Sequence, residues 1–291
     1  MLKLRPHLLA AFLVFALPLH SLAEFPTTRP FSGITYGHAQ RSDPPMQLYW
    51  VIVDLGEPAV SLRVVPGGPD PDGDGPYETV LCRPSEVAAR EALDIAVNGD
   101  FFSAKTSLFG SSGYFADQWA KVTGAAMTDG RRWSPGRADT PCLVVSSNGK
   151  PSIVQGSEIP ADARQVISGN VFLIRSGKKV QPSSQAIHPR TVVGLDQKHQ
   201  RLVLLVVDGR QPAVSIGMSY SQLADEMLRL GCDSAINLDG GGSSALVMYD
   251  RESRQFRVLN HPSDGAERPV ANVLGIRAKG GSATTRATEQ N

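Results

Sequence analysis

The sequence predicts an α+β domain in which a few helices pack on a β-sheet. Short runs of aliphatic and β-branched residues recur along the chain and are bounded by Gly, Pro or Asn, as strands are. Two other segments place apolar residues at helical spacing. Each of these leads into an apolar run of the form D-x-A-x-N-x-D, at residues 94–100 and 233–239.

The first 23 residues have the pattern of a secretory signal peptide. Lys3 and Arg5 precede the apolar run 8–17, Pro18 ends it, and Ser21 and Ala23 place small side chains at the two positions that a signal peptidase reads. A run of this length is shorter than the ~20 residues that a transmembrane helix needs. A membrane anchor is the alternative. The cleavage pattern instead predicts a periplasmic or extracellular protein with no stable membrane anchor after cleavage.

The remaining chain is long enough for one large domain. We expect an extended lead-in over residues 24–45, a single domain over 46–279 and a disordered tail over 280–291. The net charge of +1 is spread along the 291 residues, which predicts no nucleic-acid partner. The pairing of Cys82, Cys142 and Cys232 stays open, although the apolar surroundings of Cys232 favour a buried thiol. The oligomeric state also stays open.

The N-terminal part of the domain is predicted to begin with a hairpin. Residues 48–55 and 61–66 are apolar runs separated by a Gly-Glu-Pro turn. Residues 67–76 form a Gly- and Asp-rich loop. A short helix over 84–93 follows, with Ser85 as its N-terminal cap.

The C-terminal part alternates strands with one longer helix. The helix covers 221–230, where Leu223, Met227 and Leu230 share a face, and Gly231 ends it. The predicted strands are 142–146, 171–175, 191–195, 202–208, 245–249, 256–259 and 270–277.

The loop 67–76 holds the only candidate for a metal cofactor. Asp70, Asp72 and Asp74 have the spacing with which a calcium loop begins. Leu81 stands where the closing Glu of that signature belongs, so a solvated acidic turn is the favoured interpretation.

The second Asn-x-Asp motif runs into three glycines and two serines. Gly240, Gly241 and Gly242 allow positive φ and a close backbone approach, and such a turn can aim several N–H groups at one anion. Ser243 could add a hydroxyl donor. No nucleotide P-loop and no G-x-S-x-G elbow is present. We therefore expect a phosphate site, with an empty tight turn as the alternative.

Two arginines stand beside strand ends and suit the same anion. Arg190 lies in H-P-R-T at the start of a strand, and Arg210 follows Asp208 at the end of another. A guanidinium group offers paired donors that match phosphate oxygens.

Three strand-end carboxylates, Asp100, Asp208 and Asp239, are enough for a general acid and a base or nucleophile, as glycoside cleavage requires. Because side chains at i and i+2 of a strand share a face, Asn98 should project with Asp100, and Asn237 with Asp239. The two asparagines are then candidates for binding sugar hydroxyls. Phe101 or Phe102 could stack on a sugar ring.

The ordered series NGDFF, PRTVVG, VVDGRQ, NLDGGGSS and RPVANVLGI resembles the phosphodiester glycosidase family, from about Tyr49 to Arg277. The resemblance implies hydrolysis of a sugar-1-phosphodiester at the glycosidic bond, a mixed β-sheet in a single catalytic domain, and no obligate organic cofactor. Within the family's motifs stand Asn98, Asp100, Phe101, Arg190, Thr191, Asp208, Gly209, Arg210, Asn237, Asp239 to Ser243, Arg268 and Asn272.

We expect Asp239, Asp100 and Asp208 to be the catalytic carboxylates, and which is the acid and which the nucleophile stays open. The residues expected to bind the substrate are Asn98, Phe101, Arg190, Thr191, Arg210, Asn237, Gly240, Gly241, Gly242, Ser243 and Arg268. The chain lacks the cysteine-rich extensions and membrane anchor of animal members, so we expect an envelope or exopolysaccharide phosphodiester as substrate.

Two other functions fit parts of the pattern. A non-catalytic carbohydrate- or polyanion-binding protein would need Arg190 and the glycine turn but not the carboxylates. A metal-dependent phosphodiesterase would cut the P–O bond and would need clustered His and carboxylate ligands. After the signal peptide the histidines are His38, His188, His199 and His261, which lack metal-ligand spacing.

Overall fold

The computed structural model describes residues 27–106, 113–180 and 184–278. The predicted signal peptide and C-terminal tail lie outside the described residues. Strands make up 48% and helices 9% of the described residues, so the α+β prediction holds with only a small helical part. The helices are α1 (Pro84–Arg90) and α2 (Tyr220–Arg229).

The strands are short and numerous. In chain order they are β1 (Thr27–Phe31), β2 (Ile34–Ser42), β3 (Pro45–Asp54), β4 (Val60–Pro66), β5 (Thr79–Val80), β6 (Ile95–Asn98), β7 (Phe102–Ala104), β8 (Trp119–Val122), β9 (Ala125–Thr128), β10 (Arg131–Pro135), β11 (Pro141–Ser146), β12 (Pro151–Gln155), β13 (Ala163–Ser168), β14 (Val171–Arg175), β15 (Lys178–Lys179), β16 (Arg190–Leu195), β17 (Arg201–Val207), β18 (Ser234–Asn237), β19 (Leu246–Asp250), β20 (Gln255–Val258) and β21 (Asn272–Ala278).

These strands form four sheets. The largest has the order β1-β2-β3-β17-β16-β18-β14-β15, and a five-stranded sheet has the order β20-β19-β6-β21-β4. A second five-stranded sheet (β10-β9-β13-β11-β12) and a three-stranded one (β5-β8-β7) complete the described part. Neighbouring strands pair antiparallel throughout the described residues. The expectation of a mixed sheet, with both parallel and antiparallel pairs, is therefore wrong for this part of the chain.

Two sheets face each other and two helices cover their outer faces. The main core lies between the eight-stranded sheet and the first five-stranded sheet, where Val51, Leu204 and Ile236 meet Val97 and Leu274. Helix α2 packs on the opposite face of the larger sheet, and α1 packs on the opposite face of the smaller one. Because both faces of the central strands are buried, those strands read as continuous apolar runs.

Each helix belongs to the same kind of unit. Strand β4 leads through α1 to β6, and β21 lies between β4 and β6, antiparallel to both. Strand β17 leads through α2 to β18, and β16 lies between them in the same way. The two D-x-A-x-N-x-D motifs therefore occupy equivalent strands in two facing sheets.

Three local predictions are wrong. The strands β3 and β4 do not form a hairpin, because β3 pairs with β2 and β17 whereas β4 pairs with β21 in the facing sheet. The lead-in is part of the fold, since β2 pairs along β3 over its whole length. Ser85 does not cap α1. Arg83 holds the cap position, and the Ser85 hydroxyl donates to Glu267 instead.

Candidate functional site

The ends of the two motif strands meet where the facing sheets come together. Strand β6 ends at Asn98 and β18 ends at Asn237. The backbone N–H of Asp239 donates to the Gly99 carbonyl at 2.9 Å, and this hydrogen bond joins the segments that follow the two strands. The residues that follow, Asp100 and Asp239, thus lie beside one another although 139 positions separate them in the sequence.

Asn98 fixes this junction and does not project toward a substrate. Its side chain is fully buried, and its Nδ2 donates to the Asp239 carbonyl at 2.8 Å. Its Oδ1 accepts hydrogen bonds from the Thr191 hydroxyl at 2.7 Å and from the Ala245 N–H. The structure therefore does not bring Asn98 and Thr191 to a binding surface. Their polar groups bond to each other, and Asn98 also bonds the backbone of the second motif.

Asn237 is also buried, and its amide group serves the structure. Its Nδ2 donates to Asn170 Oδ1 at 2.9 Å and to the neighbouring Leu238 carbonyl. The i, i+2 alternation that was expected to align Asn237 with Asp239 fails because the strand ends at Asn237. The same holds for Asn98 and Asp100.

Asp239 lies in a cleft of about 390 Å³ together with three arginines, and we call this the arginine cleft. The cleft is lined by Phe101, Ser184, Ala186, His188, Arg190, Arg210, Tyr220, Asp239, Gly240, Gly241 and Arg268. Seven of these eleven residues are ones that the sequence assigned to the site. Three guanidinium groups against one carboxylate make the cleft a site for an anion.

The backbone and an aromatic ring hold Arg190 in place. Its guanidinium donates to the carbonyls of Met218 at 3.1 Å and Ala186 at 2.6 Å. Its Cζ lies 4.2 Å from the centre of the Tyr220 ring, within cation–π distance. Burial lowers the pKa of Arg190, as does the charge of Arg210. The negative charge of a bound substrate would favour the charged guanidinium and so offset the free-energy cost of burying it.

Arg210 reaches the cleft through an unusual backbone conformation. Its φ of 59° is in the left-handed region, which costs a non-glycine residue of order 1 kcal/mol or more and is concentrated at functional sites. Its guanidinium lies against Gly241, where a Cβ would come within 3.0 Å of both terminal nitrogens. A glycine at this position therefore makes room for the arginine.

The glycine turn is not the open nest of N–H groups that the sequence suggested. The N–H of Gly241 donates to the Pro189 carbonyl, and that of Ser243 donates to the Gly240 carbonyl. The Gly240 N–H donates to Asp239 Oδ1 at 2.8 Å. The turn instead orients Asp239 and makes room for two arginines, since a Cβ on Gly242 would collide with Arg268.

Arg268 completes the cleft from a different loop. Its guanidinium pairs with the Asp264 carboxylate at 2.7 Å, and its Nη1 donates to the buried Ser243 hydroxyl. The ring of Tyr114 lies 4.7 Å from its Cζ. Asp264 therefore holds Arg268 against the glycine turn, where the arginine also contacts Ser243.

Asp239 is the carboxylate that faces the anion site. Burial raises its pKa to about 6, while bonds from Ser243 and Gly240 and the charges of Arg268 and Arg210 act in the opposite direction. The group is therefore ionised at neutral pH, with a pKa near the working range of an acid–base or nucleophilic catalyst.

Asp100 does not line the arginine cleft but a second cleft, which Phe101 also lines, and its carboxyl group is held rigidly. Its Oδ1 accepts the Ser168 N–H at 2.9 Å, its Oδ2 accepts the Asn272 amide, and its own N–H donates to Asn272 Oδ1. Burial raises its pKa to about 8, and the nearby charge of Asp239 acts in the same direction. At neutral pH Asp100 is therefore predominantly the uncharged acid.

Asp208, the third predicted catalytic carboxylate, does not enter the arginine cleft. Its side chain has no exposed surface and accepts hydrogen bonds from Asn260 Nδ2 at 2.9 Å and from the His261 N–H at 3.0 Å. Asn260 also donates to the Ser244 carbonyl. Asp208 thus connects the loops that carry Arg210, the glycine turn and Arg268, although it does not line the cleft itself.

Sequence reasoning missed His188 and Tyr220 as lining residues. Burial and the charges of Arg190 and Arg210 lower the pKa of His188, which keeps its imidazole neutral. Tyr220 is the first residue of α2, fixed there by a capping box in which Ser219 and Gln222 bond each other's backbone. That capping signal was readable in the sequence, but the cleft that Tyr220 faces was not.

Other predicted features take a structural role. Asp70 Oδ1 accepts the N–H groups of Asp72 and Gly73, as in an acidic turn. Among the described residues no three His, Cys, Asp or Glu side chains gather as metal ligands. The three cysteines are free thiols. No helix in the described ranges combines the length and hydrophobicity needed to span a membrane.

A family model described as phosphodiester glycosidase matches residues 91–277, which include every residue of the arginine cleft. The chain belongs to the phosphodiester glycosidase family. A bovine relative named N-acetylglucosamine-1-phosphodiester alpha-N-acetylglucosaminidase is 29% identical over 254 residues. The SPbeta prophage-derived uncharacterized protein YomE of Bacillus subtilis is 28% identical over 215 residues.

The match to the bovine protein covers 78% of this phosphodiester glycosidase family member but only 41% of the bovine protein. The match to the Bacillus protein covers 68% of this chain and 29% of that protein. The chain therefore spans less than half the length of these curated relatives. The zebrafish N-acetylglucosamine-1-phosphodiester alpha-N-acetylglucosaminidase catalytic domain superposes with a TM-score of 0.62, at 22% identity over 88% of each chain. At that identity the likeness establishes a shared fold.

Proposed function

We propose that this family member hydrolyses a sugar-1-phosphodiester at its glycosidic bond and releases a free sugar and a phosphomonoester. The observation that carries the proposal is the single cleft in which Arg190, Arg210 and Arg268 surround Asp239. The names of the bovine and zebrafish proteins support an N-acetylglucosamine-1-phosphodiester as the kind of substrate.

The arginine cleft can supply the two things that this reaction needs. The guanidinium groups would hold the phosphate and stabilise the charge that develops on it as it leaves. The ionised Asp239 would face the anomeric carbon and stabilise the oxocarbenium-like transition state or attack it. The C1–O bond breaks and its electron pair leaves with the phosphate oxygen. Water supplies the new hydroxyl at C1 and releases one proton.

The cellular setting is part of the same proposal. The leader-like pattern of residues 1–23 supports export, and an exported enzyme of this kind would act on phosphodiesters of the cell envelope or of exopolysaccharides.

The test is hydrolysis of UDP-N-acetylglucosamine and of methyl N-acetylglucosamine-1-phosphate in ¹⁸O-enriched water, with and without a chelator. We expect free sugar and a phosphomonoester without the label, with a rate unaffected by the chelator. Label in the phosphate, together with loss of activity in the chelator, would overturn the proposal in favour of a metal-dependent phosphodiesterase. Binding of the phosphodiesters without any turnover would overturn it in favour of a carbohydrate- or polyanion-binding protein.

A further inference from the structure

A second cleft shares Phe101 with the arginine cleft. Its volume is about 390 Å³, like that of the arginine cleft, and Phe101 lines both. We call it the Asp100 cleft, because Asp100 lines it together with Arg137, Asp139, Thr140 and Asn170. Ligand sites typically have volumes of about 300–1,000 Å³, so each cleft can hold one small group.

The two clefts differ in charge. Three arginines face one aspartate in the arginine cleft. In the Asp100 cleft the only arginine, Arg137, is neutralised by Asp139 through two parallel hydrogen bonds of 2.9 and 2.8 Å. A phosphate group would therefore be held by the first cleft, while the second has no surplus of positive charge to attract it.

The polar groups of the Asp100 cleft suit hydroxyl groups. The side chains of Arg137 and Asp139 are about two-thirds exposed, so their outward edges are free to donate to and accept from a ligand. The Thr140 hydroxyl donates to the Arg137 carbonyl and keeps acceptor capacity. Asn170 is exposed, and its amide is fixed by bonds to Tyr220 and Asn237. The Phe101 ring supplies an apolar wall, on which the C–H face of a sugar can pack.

We infer that the Asp100 cleft binds an uncharged pyranose, namely the sugar whose anomeric carbon carries the phosphate. This inference rests on the proposed function, since it divides one substrate between two clefts that meet at Phe101. The phosphate lies in the arginine cleft and the sugar in the Asp100 cleft, so the scissile bond falls at their border. Arg137, Asp139, Thr140 and Asn170 then determine which sugar is accepted.

The first test separates sugar binding from phosphate binding. The double variant Arg137→Ala/Asp139→Ala leaves the net charge unchanged and removes two polar side chains from the Asp100 cleft. We expect the KM for UDP-glucose to rise about tenfold, as for the loss of two ordinary hydrogen bonds, with the inhibition constant of inorganic phosphate unchanged. The matched control is Arg83→Ala/Glu86→Ala, an exposed ion pair on neither cleft, which should change neither constant. An unchanged KM, or a parallel loss of phosphate inhibition, would overturn the inference.

The second test asks whether the bound sugar is uncharged. UDP-glucose and UDP-glucuronate differ only at C6, and we expect kcat/KM to favour UDP-glucose at least tenfold. Equal or reversed preference would overturn the inference.

Saturation-transfer NMR with methyl glucoside applies even if no phosphodiester is turned over, and so it separates this inference from the proposed function. Signal in the wild-type protein that is lost in the Arg137→Ala/Asp139→Ala variant supports the sugar site. Absence of signal in the wild type, or signal unchanged in the variant, overturns it.

Discussion

The two Asn-x-Asp strand ends are alike in sequence and in topology but differ in what their side chains do. Both follow a helix in a β-α-β unit, on equivalent strands of two facing sheets. At the first end the carboxylate of Asp100 is clamped by Asn272 and Ser168. At the second end the carboxylate of Asp239 faces three arginines. The same backbone frame thus yields one uncharged acid and one ionised carboxylate.

The two asparagines differ in a complementary way. Asn98 bonds three groups of the other half of the domain and so holds the two ends together. Asn237 bonds the exposed Asn170 and an adjacent carbonyl, and its Oδ1 has no partner. The first motif therefore positions the second, and the second carries the charge that the proposed chemistry needs.

The largest effect expected from this comparison is on catalysis. Asp239→Asn removes a charge that is present at neutral pH, and we expect kcat for sugar release to fall at least ~10³-fold, which is about 4 kcal/mol in activation free energy. Asp100→Asn replaces a carboxyl that is mostly uncharged and should cost only about 10- to 100-fold. Single-turnover kinetics on both variants, with circular dichroism to confirm folding, measure the difference. Equal losses would contradict the division of roles.

The next effect is on stability. Asn98→Ala leaves the Thr191 hydroxyl, the Ala245 N–H and the Asp239 carbonyl without their partner, so we expect a loss of about 3 kcal/mol in the free energy of unfolding. Asn237→Ala should lose about 1 kcal/mol, because Asn170 can bond water instead. Urea denaturation of both variants gives the two values. A larger loss in the Asn237 variant would show that the second end, not the first, holds the junction.

A smaller effect is expected behind the cleft, where Asp208 fixes the loops of Arg210 and Arg268. Asp208→Asn replaces one carboxylate oxygen with an NH₂ group, which faces the N–H groups that donate to this carboxylate and cannot accept from them. The KM for the phosphodiester and the Kd for inorganic phosphate should both rise about tenfold, with kcat within threefold of wild type.

The matched variant for Asp208→Asn is His261→Ala, which removes the ring but keeps the backbone N–H that bonds Asp208, so its KM should change little. If Asp208→Asn lowers kcat a hundredfold at an unchanged KM, Asp208 is a catalytic residue after all.

The smallest effect is the pH dependence near neutrality. Burial raises the pKa of Asp239 to about 6 and that of Asp100 to about 8. A raised pKa means that the proton is retained to higher pH, so kcat/KM should fall below pH 6 as Asp239 becomes protonated and above pH 8 as Asp100 ionises. The Asp100→Asn variant should lose the alkaline limb only. If both limbs persist in that variant, another group is responsible for the upper one.

The amino-acid sequence by itself determined the elements and the charged residues of the site. Helical spacing and the stop at Gly231 predicted α2, and β-rich runs predicted most of the central strands because local patterns decide such elements. The glycine turn marked Asp239, and paired-donor chemistry marked Arg190 and Arg210. These signals are local in sequence, which is why they could be read without a structure.

Only the tertiary structure decided what each side chain contacts. Asn98 and Thr191 are 93 positions apart and are consumed in bonding each other, and Asp208 is bonded by Asn260 and His261 from a distant loop. The glycines make room for arginines that come from elsewhere in the chain. A polar residue at a strand end serves the fold or the substrate according to which distant groups surround it, and long-range packing determines those groups.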